Sequence, residues 1–327
     1  MSFFDRFQPL AIGRAIQTEW PAPEYILGPL QPGDVGLISG ADGLGKSYVA
    51  ACAAMAAACG RADLFGGMWN VPRTAAKVIY FAVEDRLTDH GRRLQWLGRH
   101  ARMFDGLHIE DEDDSVTLMP TEGERIPLVE REGKPGQYAV TPIGKEWAEH
   151  IKPYRLVVID PLRAFHGLEE SDGAGMDFFA RWLVSVAMGN QQVILAVHHA
   201  SQSAILDRRD DHHAGRGATD LPAACRAVWV LRALNDKEAD VLDEGDDRRL
   251  WRALVNGKAS HGEESATRYL RKQEHGVLRV GRLTTATPNA QKEQVAGRNS
   301  YAEAKQGTNA AELIAALRAG GKEDRHG

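Results

Sequence analysis

Apolar and polar positions alternate along this chain in two different rhythms. Short continuous apolar runs read as buried strands, and longer stretches with apolar residues three and four apart read as helices. Val35 to Ser39 is the first such run. Lys46 to Cys59 is rich in alanine, the strongest helix former, and is followed by Gly60, a residue that ends helices. Lys77 to Ala82 predicts a second strand, and residues 86–98 a helix with Leu87, Leu94 and Leu97 near one face. Arg155 to Asp160 predicts a third buried strand and Gln192 to Val197 a fourth. Between them, Gly175 to Met188 carries Phe178, Phe179, Trp182, Leu183 and Val186 at helical spacing. Arg226–Arg232, Arg249–Asn256, Thr267–Lys272 and Val277–Val280 then read as strands joined by turns.

Strand and helix alternate through the first two-thirds, and strands follow one another afterwards. That order predicts an α/β fold with a mostly parallel twisted sheet flanked by helices and finished by antiparallel C-terminal strands. Residues 1–30, with Trp20 and prolines at 9, 21 and 23, read as an N-terminal arm that ends against the core. Residues 31–285 read as the core. Within it, about 108–150 reads as an insert: an acidic run from Glu110 to Asp114, then β-like pieces (SVTLM, RIPLV, QYAVT) expected to form an edge hairpin, then a short helix over Ile143–Lys152. Residues 286–327 read as a polar linker and tail, with a short amphipathic helix candidate at 309–318. No internal repeat is evident.

Composition narrows the class. The chain has 327 residues, 43% of them hydrophobic and 26% charged, so a sizeable core is expected. A net charge of -5 argues against a surface coated for nucleic acid, though not against a local basic groove. Three cysteines, Cys52, Cys59 and Cys225, lack metal or redox spacing and suggest a reducing, cytoplasmic setting. No apolar run is long enough to span a membrane, and no signal peptide is seen, so no membrane partner is expected.

The chemistry gathers around Gly40-Ala41-Asp42-Gly43-Leu44-Gly45-Lys46-Ser47, which fits the phosphate-binding P-loop pattern G-x-x-x-x-G-K-[ST]. The glycines let backbone N–H groups turn inward around an anion, and the following helix adds its dipole. Lys46 is suited to the β- and γ-phosphates of ATP, and Ser47 to Mg²⁺. The nucleotide-binding set is therefore Gly40, Asp42, Gly43, Leu44, Gly45, Lys46, Ser47 and the adjoining Tyr48. Asp160, at the tip of a buried strand, is the second candidate for Mg²⁺. Glu84, just past another strand, can orient or deprotonate water; Asp85 can instead share that role or cap the next helix. His198 and His199 end a further strand. Two readings stand for them: ordinary loop polarity, or a sensor of the terminal phosphate. His198, His199, His212 and His213 lack zinc-ligand spacing. Residues 201–217 read as a charged loop in which Arg208, Arg209 and Arg216 can reach phosphates while Asp207, Asp210 and Asp211 offset them. Arg226 opens a buried strand, where an arginine requires an anionic partner, such as a phosphate on a neighbouring subunit.

These stretches also carry a resemblance. GLISGADGLGKS, VIYFAVED, LVVIDPLRAFHG, VILAVHHAS, AGRGATDLPAACRAVWVL and NGKASHG, in order over about residues 21–282, resemble RecA-like hexameric replicative helicases of the plasmid RepA type. The resemblance implies a RecA-like ATPase core, Glu84 as catalytic acid, His199 as γ-phosphate sensor, and Arg226 as an arginine finger in trans with Arg216 as second candidate. It further implies a homo-oligomeric ring, usually a hexamer, with loops 163–175 and 201–217 facing single-stranded DNA. A primase or replication initiator is an expected partner. The longer 108–150 segment and weakly basic channel loops depart from the family pattern. An alternative is a RecA-fold regulatory or loader ATPase that uses ATP as an assembly switch without unwinding DNA.

Overall fold

The computed structural model describes residues 9–108, 115–133, 136–199, 220–243, 245–259 and 266–283. The described residues fall into two units, those within 9–234 and 249–281, and those within 235–248 with 282 and 283. In the first unit, helix α1 (Ile12–Gln17) precedes β1 (Val35–Gly40), α2 (Lys46–Cys59), the kinked turn α3 (Leu64–Gly67) and β2 (Val78–Ala82). There follow α4 (Leu87–Asp105), β3 (Val116–Pro120), β4 (Val129–Arg131), β5 (Tyr138–Val140), α5 (Pro142–His150) and β6 (Leu156–Asp160). The remainder is α6 (Gly173–Asn190), β7 (Val193–His199), α7 (Asp220–Ala224), β8 (Ala227–Ala233), β9 (Trp251–Ala259), β10 (Arg268–Lys272) and β11 (Leu278–Gly281).

Among the described residues, nine strands form one sheet in the order β11-β10-β9-β8-β1-β7-β6-β2-β3. The pairs from β8 across to β3 are parallel, and β8–β9, β9–β10 and β10–β11 are antiparallel. This is the α/β architecture that the alternation of apolar runs predicts. β1, the strand that leads into the glycine loop, lies inside the sheet between β7 and β8.

Alternate residues of the buried strands feed two cores, one on each face of the sheet, as a two-residue period requires. Tyr80, Ala82, Val158, Val197 and Trp229 join α2 and α4 on one face. Ile79, Phe81, Ile159, Ala196 and Val228 join α5 and α6 on the other. α2 is buried almost all round, and its run of alanines lets its backbone lie close to the sheet. It ends at Gly60 (φ 58°), where a Cβ would stand 2.4 Å from the Arg73 carbonyl oxygen. In residues 9–30, Leu27 and Leu30 are fully buried, while Ile12, Ile16 and Trp20 are exposed.

Three local expectations change. SVTLM does not join a hairpin; it becomes β3, parallel to β2 at the sheet edge, and only β4 and β5 pair as a hairpin. The helix expected to end at 98 continues to Asp105, because His100 and Ala101 turn inward and bury. Arg226 precedes β8 rather than opening it, and its side chain is 56% exposed, 3.8 Å from Asp34. The burial argument for its needing a phosphate partner therefore does not hold. Among its described residues the second unit has a short helix, α8 (Asp236–Ala239), closed by a capping box between Asn235 and Glu238. The acidic run 110–114, loop residues 201–217, Arg216, His212, His213 and the tail helix candidate lie outside the described residues. No helix among the described residues is long and apolar enough to cross a membrane.

Candidate active site

The glycine loop is shaped by close approach. A Cβ on Gly40 would lie 2.3 Å from the Leu231 carbonyl oxygen of β8, so only glycine lets β1 turn there. Gly43 and Gly45 adopt φ of 74° and 100°, a region costly for other residues. Gly45 stands at the N-cap of α2 with no side chain over the helix end, leaving its first N–H groups directed at the loop. Lys46 is 5% exposed. Its Nζ donates to the carbonyl oxygens of Gly40 (2.9 Å) and Ala41 (2.8 Å) and lies 3.6 Å from Asp42 Oδ1. Burial lowers the Lys46 pKa, with Asp42 the main opposing influence.

The other candidates arrive at the same edge because parallel strands all end there. Sheet register sets His199 beside Gly40, and Asp160 beside Ala82, two residues before Glu84. His199 Nδ1 meets the Asp42 carboxylate, and its Nε2 lies 3.9 Å from Glu84 Oε1. The hydrogen bond from His199 is the largest influence and holds the Asp42 carboxyl below its usual range; burial opposes it, and the charges of His199 and Lys46 add to the lowering. One imidazole thus joins the P-loop to the predicted water-orienting acid. The Glu84 side chain is 63% exposed, as a group that must meet water requires.

Asp85 neither caps α4 nor enters this cluster. It pairs with Arg93 at 2.7 Å, and residue 86 is the helix cap. Arg93 in turn lies over the Tyr48 ring, 5.3 Å from its centroid. Tyr48 directs its hydroxyl to the His275 carbonyl oxygen (2.6 Å), so its side chain braces the turn before β11. Leu44 packs partly against the core, and Gly45 sits under Leu278. His198 faces inward, and burial lowers its pKa. Loop 163–175 begins as a 3-10 turn (Leu162–Phe165) whose Arg163 approaches Glu170 at 3.8 Å.

Tyr80 is the participant that pattern reading missed. It lies in the middle of β2, 4% exposed, and its hydroxyl donates to Asp160 Oδ2 at 2.5 Å. Burial and the neighbouring Asp160 push the phenol well above its ordinary range, so it remains a donor. The same oxygen lies 3.4 Å from the Ser47 carbonyl oxygen. Ser47 and Asp160 are therefore near one another, and both supply hard oxygen atoms of the kind Mg²⁺ takes. Mg²⁺ binds through one or two protein oxygens together with phosphates and water, which is what Ser47 and Asp160 offer.

A glycine loop after an interior strand, with a histidine at the tip of the neighbouring β7 and acids at the tip of β6 and just past β2, is the arrangement of a RecA-like P-loop ATPase fold. A family model described as an AAA domain matches residues 4–204, and the chain belongs to that family. Among solved structures, the ATPase domain of G40P is similar with a TM-score of 0.52 and 13% identity, covering 77% of this chain and 86% of that one. A DnaB-like replicative helicase, described with its interactions with primase, has a TM-score of 0.51 and 13% identity, covering 76% of this chain and 57% of that one. At such identity the likeness is one of fold.

Proposed function

We propose that this chain hydrolyses ATP and that, assembled as a homo-oligomeric ring, it moves along single-stranded DNA as a replicative helicase of the RepA type in plasmid or phage replication. The observation that carries the ATPase part is the meeting of Lys46, His199, Glu84 and Asp160 at one edge of the sheet. In this reading the α2 N-terminus and Lys46 hold the β- and γ-phosphates. Ser47 and Asp160 would hold Mg²⁺, whose charge would offset that of the phosphate oxygens when bound. Glu84 orients a water in line with the γ-phosphate and accepts its proton as the new P–O bond forms and the bond to the β-phosphate oxygen breaks. His199 hydrogen-bonds the terminal phosphate and, through β7, presents its loss to the following loop.

Arg226 supports the ring. It stands beside Val35, at the start of β1, whereas the P-loop follows Gly40 at the other end. Five residues of strand separate the two levels by roughly 17 Å. Arg226 cannot serve its own subunit's phosphates but is half exposed for a neighbour's, so turnover depends on assembly. A primase or initiator partner is consistent with the helicase reading, as is a cytoplasmic location.

The test is ATP hydrolysis with and without single-stranded DNA, read beside oligomer mass in ATP and a strand-displacement assay. Stimulation by DNA and strand release are expected. Hydrolysis indifferent to DNA, with no strand release, would instead establish the loader or assembly-switch alternative. Arg226→Ala is expected to keep ATP binding and lose hydrolysis; normal hydrolysis would remove the finger.

A further inference from the structure

We infer that Tyr80 is a positioning residue for the metal acid: its hydroxyl fixes the Asp160 carboxylate so that one oxygen is held and the other is presented to a divalent cation. The inference rests on the ATPase reading above.

Strand register makes the contact possible. Tyr80 pairs with Val158, and Asp160 pairs with Ala82, so all four lie on the α2 face of the sheet. Two residues along a strand span about 6.6 Å, a distance that a phenol ring and its oxygen can bridge and shorter polar side chains cannot. The result is a hydrogen bond between two side chains that are 4% and 6% exposed. The single phenol proton goes to Asp160 Oδ2 at 2.5 Å rather than to the Ser47 carbonyl oxygen at 3.4 Å, because the charged acceptor is nearer and stronger.

Without this bond, rotation of the Asp160 carboxylate is weakly restrained, since the terminal torsion of aspartate is broad and two-fold. A buried carboxylate oxygen would also lose its donor. Tyr80 borders a small cavity with apolar walls that include Ala51, Ala54, Met55, Leu94 and Val116; its polar lining is His90 and Arg93, and Arg93 is already paired with Asp85 at 2.7 Å. The ring also separates the N-terminal turn of α2 from the tip of β6, so the phenol keeps Ser47 and Asp160 at a set spacing. A phenylalanine keeps that spacing and removes the donor, which separates the two contributions.

The experiment is a Mn²⁺ titration followed by electron paramagnetic resonance, on full-length protein saturated with ADP, comparing wild type with Tyr80→Phe and Tyr80→Met. Affinity for ADP without metal, from a fluorescent analogue, is measured on the same samples and reports an intact P-loop. Both variants are expected to bind Mn²⁺ about 3–10-fold more weakly while metal-free ADP affinity holds. In turnover, the Mg²⁺ concentration for half-maximal rate should rise by a similar factor. Unchanged or tighter Mn²⁺ binding in either variant that retains ADP affinity overturns the role of Tyr80 alone. A wild-type protein that binds neither ADP nor Mn²⁺ overturns the ATPase reading and this role with it.

Discussion

His166 offers a direct measure of how tightly the segment after Asp160 is sealed. The residue is fully buried, its ring 5.2 Å from that of Phe179, and its Nδ1 accepts from the Leu168 backbone N–H at 3.4 Å. Burial, reinforced by the Arg163 charge, pushes its pKa from 6.5 down to about 4. The folded protein therefore disfavours a proton that the unfolded chain accepts. Above pH 6.5 both states hold His166 neutral and the group adds no pH dependence. As pH falls from 6.5 towards 4 the unfolded chain gains a proton and stability declines. The full gap of 2.5 units corresponds to roughly 3 kcal/mol, and about 2 kcal/mol of it is lost by pH 5. Urea unfolding of wild type and His166→Asn at pH 7.5 and pH 5 isolates this contribution. The asparagine oxygen can still accept from Leu168, and every other titrating group is common to both proteins. Wild type is expected to lose about 2 kcal/mol more than the variant over this interval. Parallel losses in the two proteins would refute the argument that burial holds His166 neutral.

Three further outcomes follow from the same geometry. Glu84→Gln should retain nucleotide binding in a fluorescence titration while hydrolysis falls about 10²–10⁴-fold, the usual contribution of a positioned base; near-normal turnover would move the role elsewhere. Asp42→Asn removes a negative charge that faces both Lys46 and His199, and ATP affinity at low salt should rise about 3–10-fold, or roughly 0.7–1.4 kcal/mol. No change by calorimetry would mean that Asp42 swings clear of the phosphates at no cost. Gly40→Ala forces a Cβ against the Leu231 carbonyl oxygen and should cost about 1–3 kcal/mol of stability, seen as a lower urea midpoint; an unaltered midpoint would contradict the close approach of β1 and β8.

The features legible in the sequence are those that local physics determines. Buried parallel strands are continuous apolar runs, so VGLIS, VIYFA, LVVID and VILAV declare themselves, and with them the edge at which Lys46, Glu84, Asp160 and His199 meet. What escapes depends on partners far away in the chain. Tyr80 reads as one more bulky strand residue; only the register of β2 against β6 turns its hydroxyl into a donor for a carboxylate 80 positions later. Tyr48 is adjacent to the P-loop in sequence, yet its hydroxyl serves a carbonyl 227 residues away. SVTLM is short and half-exposed, so nothing local distinguishes a hairpin from a parallel edge strand. The start of α4 shows its helical period in Leu87, Leu94 and Leu97, but its C-terminal end buries His100 and Ala101 and pairs Asp105 with Arg279 of β11 at 2.7 Å, a contact far away in the chain.

The interior place of β1 has a consequence for how the protein is made. Its two neighbours, β7 and β8, begin at residues 193 and 227, so the strand that shapes the phosphate loop leaves the ribosome long before either exists. At typical synthesis rates the interval between Gly40 and Ala227 lasts roughly 10–40 s. Until β7 follows, the apolar β1 waits with the backbone donors and acceptors of both its edges unpaired. Shielding of the nascent chain should therefore matter most between those two points. Truncated products ending before β7 should aggregate instead of competing with the finished protein for nucleotide.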